Sequence, residues 1–419
     1  MLKKIQFLCG ILPLFFIIIA WSPRQSATYK KSSLPLPSKS NSLQKIRIVL
    51  AQQVREVQIS SPDAFDIWDS EGHLLESGAS ITDTMLRASG TGIQWGSHIF
   101  QRSPLVILSQ GEGIRVGTHV YRHGLRVWRE GAASITVVNE IPIEEYLKGV
   151  LPIEANPAWD PEALKAQAVV SRTYALFKAI ENQEASYDLS KDVLSQVYAG
   201  KRVEKPQTNQ AIEATRGQIL IYHGEIFPAY FHSTCGGRTT RPEYQWDYEG
   251  HPVLRGVACQ FCRESKHYRW QETFTFKEIQ TKLKEHGFTI GTLRRISPLR
   301  RDDSGRVTQF LIEHEGRKLP MRANDFRLWV DAQRLKSTLI TEIESGNEAI
   351  TFRGRGWGHG VGLCQYGVKK LGELGYSYRE ILEFYYPGSD LTTLGKASED
   401  LKSETGLGEK IRSVFSFFE

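Results

Sequence analysis

The sequence predicts an α+β protein with a β-rich N-terminal part, a helical core packed on antiparallel strands, and a β-rich insertion. Residues 47–137 consist of short alternating apolar and polar runs separated by Gly, Ser and Asp, a pattern typical of β-hairpins. After Asn139 the apolar spacing becomes helical, and residues 270–350 return to short strand-like runs. A chain of 419 residues is long enough for two or three domains with a sizeable core.

The composition is ordinary for a soluble protein, with 40% hydrophobic and 24% charged residues. A net charge of +6 over this length is mild, and it fits a chain that visits anionic surfaces such as phospholipid or cell-wall polymers. The sequence contains no dense Lys/Arg stripe and no nucleic-acid-binding motif. We therefore do not expect nucleic acid among its partners.

The N-terminus has the layout of an export signal. Lys3 and Lys4 precede an apolar stretch from Ile5 to Trp21, and residues rich in Ser, Pro and Lys follow. The stretch is long for a cleaved signal and slightly short for a membrane span, and no A-x-A cleavage site follows it. We favour an uncleaved membrane anchor over a cleaved signal peptide. Either alternative predicts an extracytoplasmic protein, in the periplasm or cell envelope.

The changes in pattern divide the chain into five predicted segments, whose bounds are given at the end of this paragraph. In residues 138–392, Asp160 and Pro161 are suited to the N-cap and first position of a long helix ending near Ile180. Ser377 and Glu380 form a capping box before a last helix. The predicted segments are a signal peptide or anchor (1–22), a linker (23–46), a β-rich domain (47–137), a second domain (138–392) with an insertion at about 265–350, and a polar tail (393–419).

Glu154 is the first candidate for chemistry. Pro152 and Pro157 flank it, and prolines at these positions predict a bend that neither neighbouring helix absorbs. A carboxylate on a rigid apolar bend is partly desolvated, which raises its pKa as a general acid requires. The local sequence leaves open the alternative of a surface-loop Glu or a cap of the next helix.

The second candidate is the glycine-rich run of residues 353–362. Glycine occupies every second position, so one face of an extended segment is bare backbone that a ligand or another chain can approach closely. Trp357 and His359 lie on the other face. Neither the dinucleotide-binding spacing nor the P-loop Lys-Ser/Thr pair is present. A tight β-turn region remains the alternative.

The third candidate is a metal site. A His-x-x-Cys pair, a Cys-x-x-Cys pair and a further His have the spacing of zinc ligands. The candidate ligands are Cys235, Cys259 and Cys262 with either His232 or His267. A Cys259–Cys262 disulfide with Cys235 free is the alternative. Bound zinc would be structural, because a closed ligand set leaves no position for substrate. Cys364 lies five residues after His359, but its apolar neighbours predict a buried, inert thiol.

Several segments together resemble the stage II sporulation protein D family, which includes the amidase enhancer proteins. The resemblance spans roughly residues 45–392, and the motifs occur in the family's order. The segments are residues 145–154, 161–175, 195–200, 231–237 and 356–367.

The resemblance implies a lytic transglycosylase that acts on peptidoglycan, particularly on glycan strands stripped of stem peptides. Its catalytic residue falls on Glu154, which would first protonate the glycosidic oxygen and then deprotonate the C6 hydroxyl to form a 1,6-anhydro-muramyl end. One carboxylate suffices because the substrate supplies the nucleophile, and the chemistry requires no cofactor. The matching positions expected around the substrate groove are Gln167, Arg172, Gln196, Tyr198, His232 and His359.

This sequence departs from the family in one respect. Some sporulation members bind zinc through Cys and His between the long helix and the Ser-Gln-Val-Tyr motif, whereas residues 181–194 contain neither. The Cys235/Cys259/Cys262 cluster would then be a different zinc site. Because some amidase enhancers are regulators, the alternative function is a non-catalytic wall-binding module that stimulates a cell-wall amidase.

Overall fold

The computed structural model describes residues 34–35, 45–90, 92–190 and 196–394. The predicted anchor (1–22), most of the predicted linker and nearly all of the polar tail lie outside the described residues. Within the described ranges, no helix is both long and apolar enough to cross a membrane.

The N-terminal part consists of strands that form two antiparallel sheets around one core. The short β1 (Leu34–Pro35) precedes this part and belongs to neither sheet. The strands of the two sheets are β2 (Lys45–Val54), β3 (Glu56–Ser61), β4 (Phe65–Trp68), β5 (Leu74–Gly78), β6 (Ile81–Ser89), β7 (Gly92–Trp95), β8 (His98–Phe100), β9 (Leu105–Ser109), β10 (Ile114–Val116), β11 (His119–Tyr121), β12 (Gly124–Glu130) and β13 (Ser134–Pro142). One sheet has the order β11-β10-β3-β6-β7-β8, and the other contains β2-β13-β12-β9-β4-β5. Alternate residues such as Ile48 and Ile107 of the second sheet and Ile59 and Ile93 of the first fill the shared core.

The chain then becomes helical around one central helix. The elements are α1 (Ile143–Lys148), α2 (Leu151–Glu154), α3 (Pro161–Glu181), β14 (Leu189–Ser190), α4 (Pro206–Ala214), β15 (Gln218–Tyr222), β16 (Glu225–Ile226) and β17 (Phe231–His232). As predicted, α3 begins after Asp160, whose side chain accepts a hydrogen bond from the Glu162 N–H (2.8 Å). The short β14 returns to the N-terminal part and pairs in parallel with β2.

The remaining elements form the insertion and then return to the helical part. They are β18 (Arg269–Thr275), α5 (Phe276–Glu285), β19 (Leu293–Arg301), β20 (Val307–His314), β21 (Arg317–Arg322), α6 (Ala323–Asp331), β22 (Ile340–Ser345), β23 (Ala349–Arg355), β24 (Leu363–Cys364), α7 (Gln365–Glu373), α8 (Tyr378–Tyr385) and β25 (Asp390–Thr393). Two three-stranded sheets, β18-β23-β22 and β19-β20-β21, enclose a separate core with α5 and α6. The chain re-enters through β24, which pairs in parallel with β17, and β25 pairs with β15.

Helix α3 lies at the centre of the helical part. It contacts α1, α4, α7, α8 and β15, so its residues 163–177 are buried apart from Lys165. The sequence predicted one apolar face, whereas the helix is covered on all sides. Its small N-terminal residues allow the close approach that the sequence predicted. A Cβ on Gly372 of α7 would lie 3.1 Å from the Ala163 Cβ.

The predicted α+β class, with its β-rich N-terminal part and β-rich insertion, is confirmed. Two of the predicted segment limits coincide with strands of the structure. The boundary at 137/138 lies inside β13, because that strand pairs with β2 and β12 and continues directly into α1. The predicted linker contains β1, which pairs with β16, and its last two residues already belong to β2.

Candidate active site

Glu154 is the last residue of the one-turn helix α2. The sequence predicted a bend outside any helix, and this was wrong because a proline such as Pro152 is tolerated in the first helical turn. The chain becomes extended at Ala155 (φ −130°, ψ 132°), which ends the helix directly after the carboxylate. Ile153, the neighbouring side chain, is 45% exposed, so this turn lies at the protein surface.

The Glu154 carboxylate accepts two hydrogen bonds from distant segments of the chain. The Val197 N–H donates to Oε1 (3.2 Å), and the Gln365 side-chain Nε2 donates to Oε2 (3.2 Å). Val197 belongs to the Ser-Gln-Val-Tyr segment, and Gln365 is the first residue of α7. Three motifs that are far apart in sequence therefore meet at one carboxylate.

The surroundings of Glu154 favour its protonated form without fixing it there. Burial raises the pKa of Glu154, and the hydrogen bonds from Val197 and Gln365 lower it in part. In the described part of the chain, Glu154 forms no ion pair with Lys, Arg or His. A carboxyl group with these neighbours can hold a proton and can also give it up.

Gln196 and Tyr198, which the sequence analysis placed around the substrate groove, are buried in this structure. Gln196 is fully buried, where its Oε1 accepts from the Tyr146 hydroxyl (2.9 Å) and its Nε2 donates to the Ser171 carbonyl (3.1 Å). Tyr198 is 4% exposed and donates its hydroxyl to Asn139 (2.8 Å). These two side chains anchor the segment on either side of Val197, which holds the Val197 N–H against Glu154.

Gln167 and Arg172 are likewise internal residues, because α3 is covered on every side. Both are 0% exposed. The Arg172 guanidinium forms two hydrogen bonds with the Glu144 carboxylate (2.9 and 2.7 Å) and a third with the Gln218 carbonyl (3.1 Å). Gln167 donates to a hydroxyl of the same helix. In this structure neither side chain is exposed to a bound substrate, and the substrate contacts of these two residues stay a prediction.

His232 and His359 lie together, with ring centroids 5.5 Å apart. The Nδ1 atom of His359 accepts the Val361 N–H (3.0 Å), so its Nε2 carries the proton and donates to the Phe231 carbonyl (2.8 Å). Burial lowers the pKa of His232 to about 3 and the pKa of His359 well below its usual range. Both rings are therefore neutral. His232 is 4% exposed, whereas His359 is partly exposed and packs against Trp246.

The predicted cysteine cluster forms, but with a different fourth member. The sulfur atoms of Cys235, Cys259, Cys262 and Cys364 all lie within 4.8 Å of one another. Neither candidate histidine belongs to this group. The His232 Nδ1 is hydrogen-bonded to the Val361 carbonyl, and the His267 ring packs against Trp357. The fourth thiol comes from Cys364, because the parallel pairing of β17 with β24 places it opposite His232 and close to Cys235.

Gln365 is the functional neighbour that the sequence analysis did not single out. The signal available was its position in the Leu-Cys-Gln-Tyr-Gly segment, at the first turn of a helix. Glu154 lines neither of two cavities of the protein, one beside Arg122 and Glu145 and one beside Phe261 and Phe384.

The chain is similar to known proteins over this region. A family profile described as "Stage II sporulation protein" matches residues 132–222, and a domain of unknown function, DUF8618, matches residues 253–362. An uncharacterized protein of Brachyspira hyodysenteriae is 33% identical over 65% of this chain and 72% of its own length. Stage II sporulation protein D of Bacillus amyloliquefaciens is 31% identical over 61% of this chain and 75% of its own length. The amidase enhancer of Bacillus subtilis is 29% identical over 59% of this chain and 40% of its own length.

These matches place the chain among proteins similar to stage II sporulation protein D and to the amidase enhancer. The chain belongs to the stage II sporulation protein D family. Glu154 and Val197 lie within the first matched region, whereas Gln365 lies beyond both.

Proposed function

We propose that this protein is a peptidoglycan lytic transglycosylase in which Glu154 is both the acid and the base. The observation that carries the proposal is the convergence of α2, the segment containing Val197 and the start of α7 on one partly buried carboxylate. The two donors are neutral and lie 43 and 211 residues away in sequence. A carboxylate kept without a cation partner is suited to proton transfer.

In the first step, protonated Glu154 donates its proton to the glycosidic oxygen that leaves C1 of N-acetylmuramic acid. The C6 hydroxyl of the same sugar then attacks C1, and its proton passes to the Glu154 carboxylate. The C1–O bond to the leaving sugar breaks, the C6–O–C1 bond forms, and Glu154 ends in its starting protonation state. No water is consumed, so a second carboxylate to activate water is not required.

The hydrogen bonds to Glu154 support both halves of this cycle. Burial raises the pKa of Glu154, which favours the acid form before proton donation. After donation, the Val197 N–H and the Gln365 amide stabilise the carboxylate until it takes the proton from C6. Each carboxylate oxygen retains capacity for one further hydrogen bond, which leaves room for the substrate oxygens.

The proposed substrate places the protein outside the cytoplasm, in the cell envelope. The names of its relatives support this, since one is a stage II sporulation protein and another an amidase enhancer. The apolar N-terminal segment would attach the protein to the membrane. An amidase that removes stem peptides would supply the peptide-free strands, which makes such an enzyme the expected partner.

The test uses full-length protein and purified, peptide-free glycan strands, with products identified by mass spectrometry. We expect 1,6-anhydro-muramyl ends from the parent protein and a loss of at least about 100-fold for Glu154→Gln, because general acid–base catalysis contributes about 10²- to 10⁴-fold. Glu213→Gln, which removes an exposed carboxylate paired with Arg216, is the matched control and should retain parent activity. Equal product from the parent and Glu154→Gln would refute the proposal.

The second candidate is a non-catalytic amidase enhancer, favoured by the similarity to the Bacillus subtilis amidase enhancer. It predicts that the parent protein releases no anhydro ends but accelerates a cell-wall amidase on intact peptidoglycan. It also predicts that Glu154→Gln stimulates the amidase as well as the parent does. Measuring both products in one reaction separates the two functions.

A further inference from the structure

Four cysteine side chains from three parts of the chain converge in one buried place. Cys235 follows β17, Cys259 and Cys262 lie in the loop before β18, and Cys364 ends β24. All four are at most 1% exposed, and none forms a disulfide in the described ranges of the chain. The Cys235 and Cys262 sulfurs are 3.4 Å apart.

The spacing of the four sulfurs fits a single metal ion. A tetrahedral zinc with Zn–S bonds of about 2.3 Å places its sulfurs about 3.8 Å apart, and the four sulfurs here all lie within 4.8 Å of one another. A disulfide would bring two sulfurs to about 2.05 Å, whereas all four are free thiols in the described residues. A tetrahedron of four thiolates is typical of structural zinc sites, and iron is the main competing metal.

Hydrogen-bond donors already point at the sulfurs. The Cys235 N–H donates to the Cys364 Sγ (3.2 Å), and the Gly237 N–H donates to the Cys235 Sγ (3.4 Å). The Tyr385 hydroxyl lies 3.2 Å from the Cys259 Sγ. Gly237 has φ +125°, a conformation that favours glycine and that turns its N–H back toward the sulfur. Donors of this kind stabilise metal-bound thiolates.

A buried cation beside the cluster supports a negative charge there. Arg306 is 0% exposed, and its guanidinium donates to the carbonyls of Cys235 (2.6 Å) and Arg238 (2.8 Å). It forms no ion pair with a carboxylate in the part of the chain that the structure describes. One zinc ion with four thiolates carries a net charge of −2, which would offset this buried guanidinium charge.

The cluster is also joined to the candidate active site through the backbone. Cys364 immediately precedes Gln365, whose amide donates to Glu154. Gly367, in the next half turn of α7, has room for no side chain, because a Cβ there would lie 3.0 Å from the Cys259 Sγ and overlap the Tyr385 hydroxyl. The first turn of α7 is therefore packed directly on the cluster.

We propose that Cys235, Cys259, Cys262 and Cys364 bind one structural zinc ion, and that this ion holds Gln365 against Glu154. The metal site does not depend on the function proposed above, whereas the positioning of Gln365 does. With four protein ligands the ion has no open position, so it takes no part in bond cleavage. The ion would join β17, the loop before β18 and α7, and each of these segments contributes a ligand more than 20 residues from those of the others.

The first experiment measures metal in full-length protein purified without chelators or added metal. We expect about one zinc per chain by mass spectrometry of the metals, and an X-ray absorption spectrum with four sulfur ligands at about 2.3 Å. Less than about half an equivalent of zinc, a Cys–Cys disulfide in the peptide map, or iron in place of zinc would overturn the proposal. This measurement needs no variant, so misfolding cannot confuse it.

The ligand set is tested by variants. Cys364→Ser should lose zinc at least tenfold more readily to a competing chelator, whereas Cys9→Ser, which changes the remaining cysteine of the sequence, should retain it. Zinc retention equal to the parent in Cys364→Ser would remove Cys364 from the ligand set. His232→Ala and His267→Ala should each keep a full equivalent, and loss of zinc in either would restore a histidine to the ligand set.

The positioning of Gln365 is tested by removing and restoring zinc in the active protein. Removal should lower kcat by about tenfold or more with little change in KM, and zinc added back should restore kcat. A zinc-free, folded protein with parent kcat would refute the positioning while leaving the metal site in place. A zinc-loaded parent that releases no anhydro ends would instead refute the proposed function.

Discussion

The hydrogen bond from Gln365 to Glu154 gives a prediction of definite size. Gln365→Leu preserves most of the side-chain volume and removes the Nε2 donor. Gln365 is 8% exposed, so water cannot readily take the place of the lost donor. A hydrogen bond to an ionised group contributes about 1.5–3 kcal/mol, and the 3.2 Å distance favours the lower value. Because the carboxylate becomes ionised as it delivers its proton, about 1.5 kcal/mol corresponds to about a tenfold loss in kcat/KM.

The assay follows release of anhydro-muramyl ends from peptide-free glycan across a pH series. The Gln365 hydrogen bond lowers the pKa of Glu154, so its loss raises that pKa. In the profile of activity against pH, the alkaline limb, on which activity falls as Glu154 loses its proton, should therefore move to higher pH. Lys369→Leu, which changes an exposed side chain of α7 paired with Glu373, is the control and should match the parent. Unchanged kcat/KM and an unmoved limb in zinc-loaded Gln365→Leu would refute the role of this contact.

Three further predictions concern stability. Burial raises the pKa of Glu154, so the folded state holds this proton more tightly than the unfolded chain does. Stability therefore falls as pH rises through the folded-state pKa. Measured by calorimetry, the Tm of Glu154→Gln should match that of the parent at about pH 4 and exceed it at about pH 8. Arg172→Met leaves the buried Glu144 carboxylate unpaired and should lower the free energy of unfolding by about 3–5 kcal/mol in urea titrations, and a change below about 1 kcal/mol would contradict the internal role. Gly367→Ala should lower the free energy of unfolding by about 1–3 kcal/mol in the same titration and should weaken zinc binding, because the added Cβ overlaps Tyr385. Stability equal to that of the parent would contradict the packing described above.

Local signals in the sequence predicted the helices that have strong caps. Asp160 begins α3, and Ser377 begins α8 with the predicted capping box to Glu380. These predictions succeed because an N-cap hydrogen bond involves residues only two or three positions apart. The candidate carboxylate, Glu154, was also reached from the sequence, although its one-turn helix was not.

The contacts of the site could not be predicted in the same way, because they join residues that are far apart in sequence. Nothing near Cys364 indicates that β24 pairs with β17, and only that pairing brings its thiol to Cys235. Arg172, Gln196 and Tyr198 were expected to contact the substrate because they lie in the motifs. Their polar groups instead satisfy buried partners, and burial of α3 on all sides follows from tertiary packing rather than from its own pattern of residues.

The buried polar residues around Glu154 explain why its carboxylate is well placed. Gln196 links the Tyr146 hydroxyl on α1 to the Ser171 carbonyl on α3, so the segment that contains Val197 is fixed to two helices. On the opposite side, Gln365 is fixed by its place at the start of α7. Both donors that reach Glu154 are neutral. A lysine or arginine in either place would lower the pKa of the carboxyl group and hold it ionised, which would remove the acid from the first step. Neutral donors on a rigid frame suit the proposed reaction, in which Glu154 would lose its proton and regain it within one cycle.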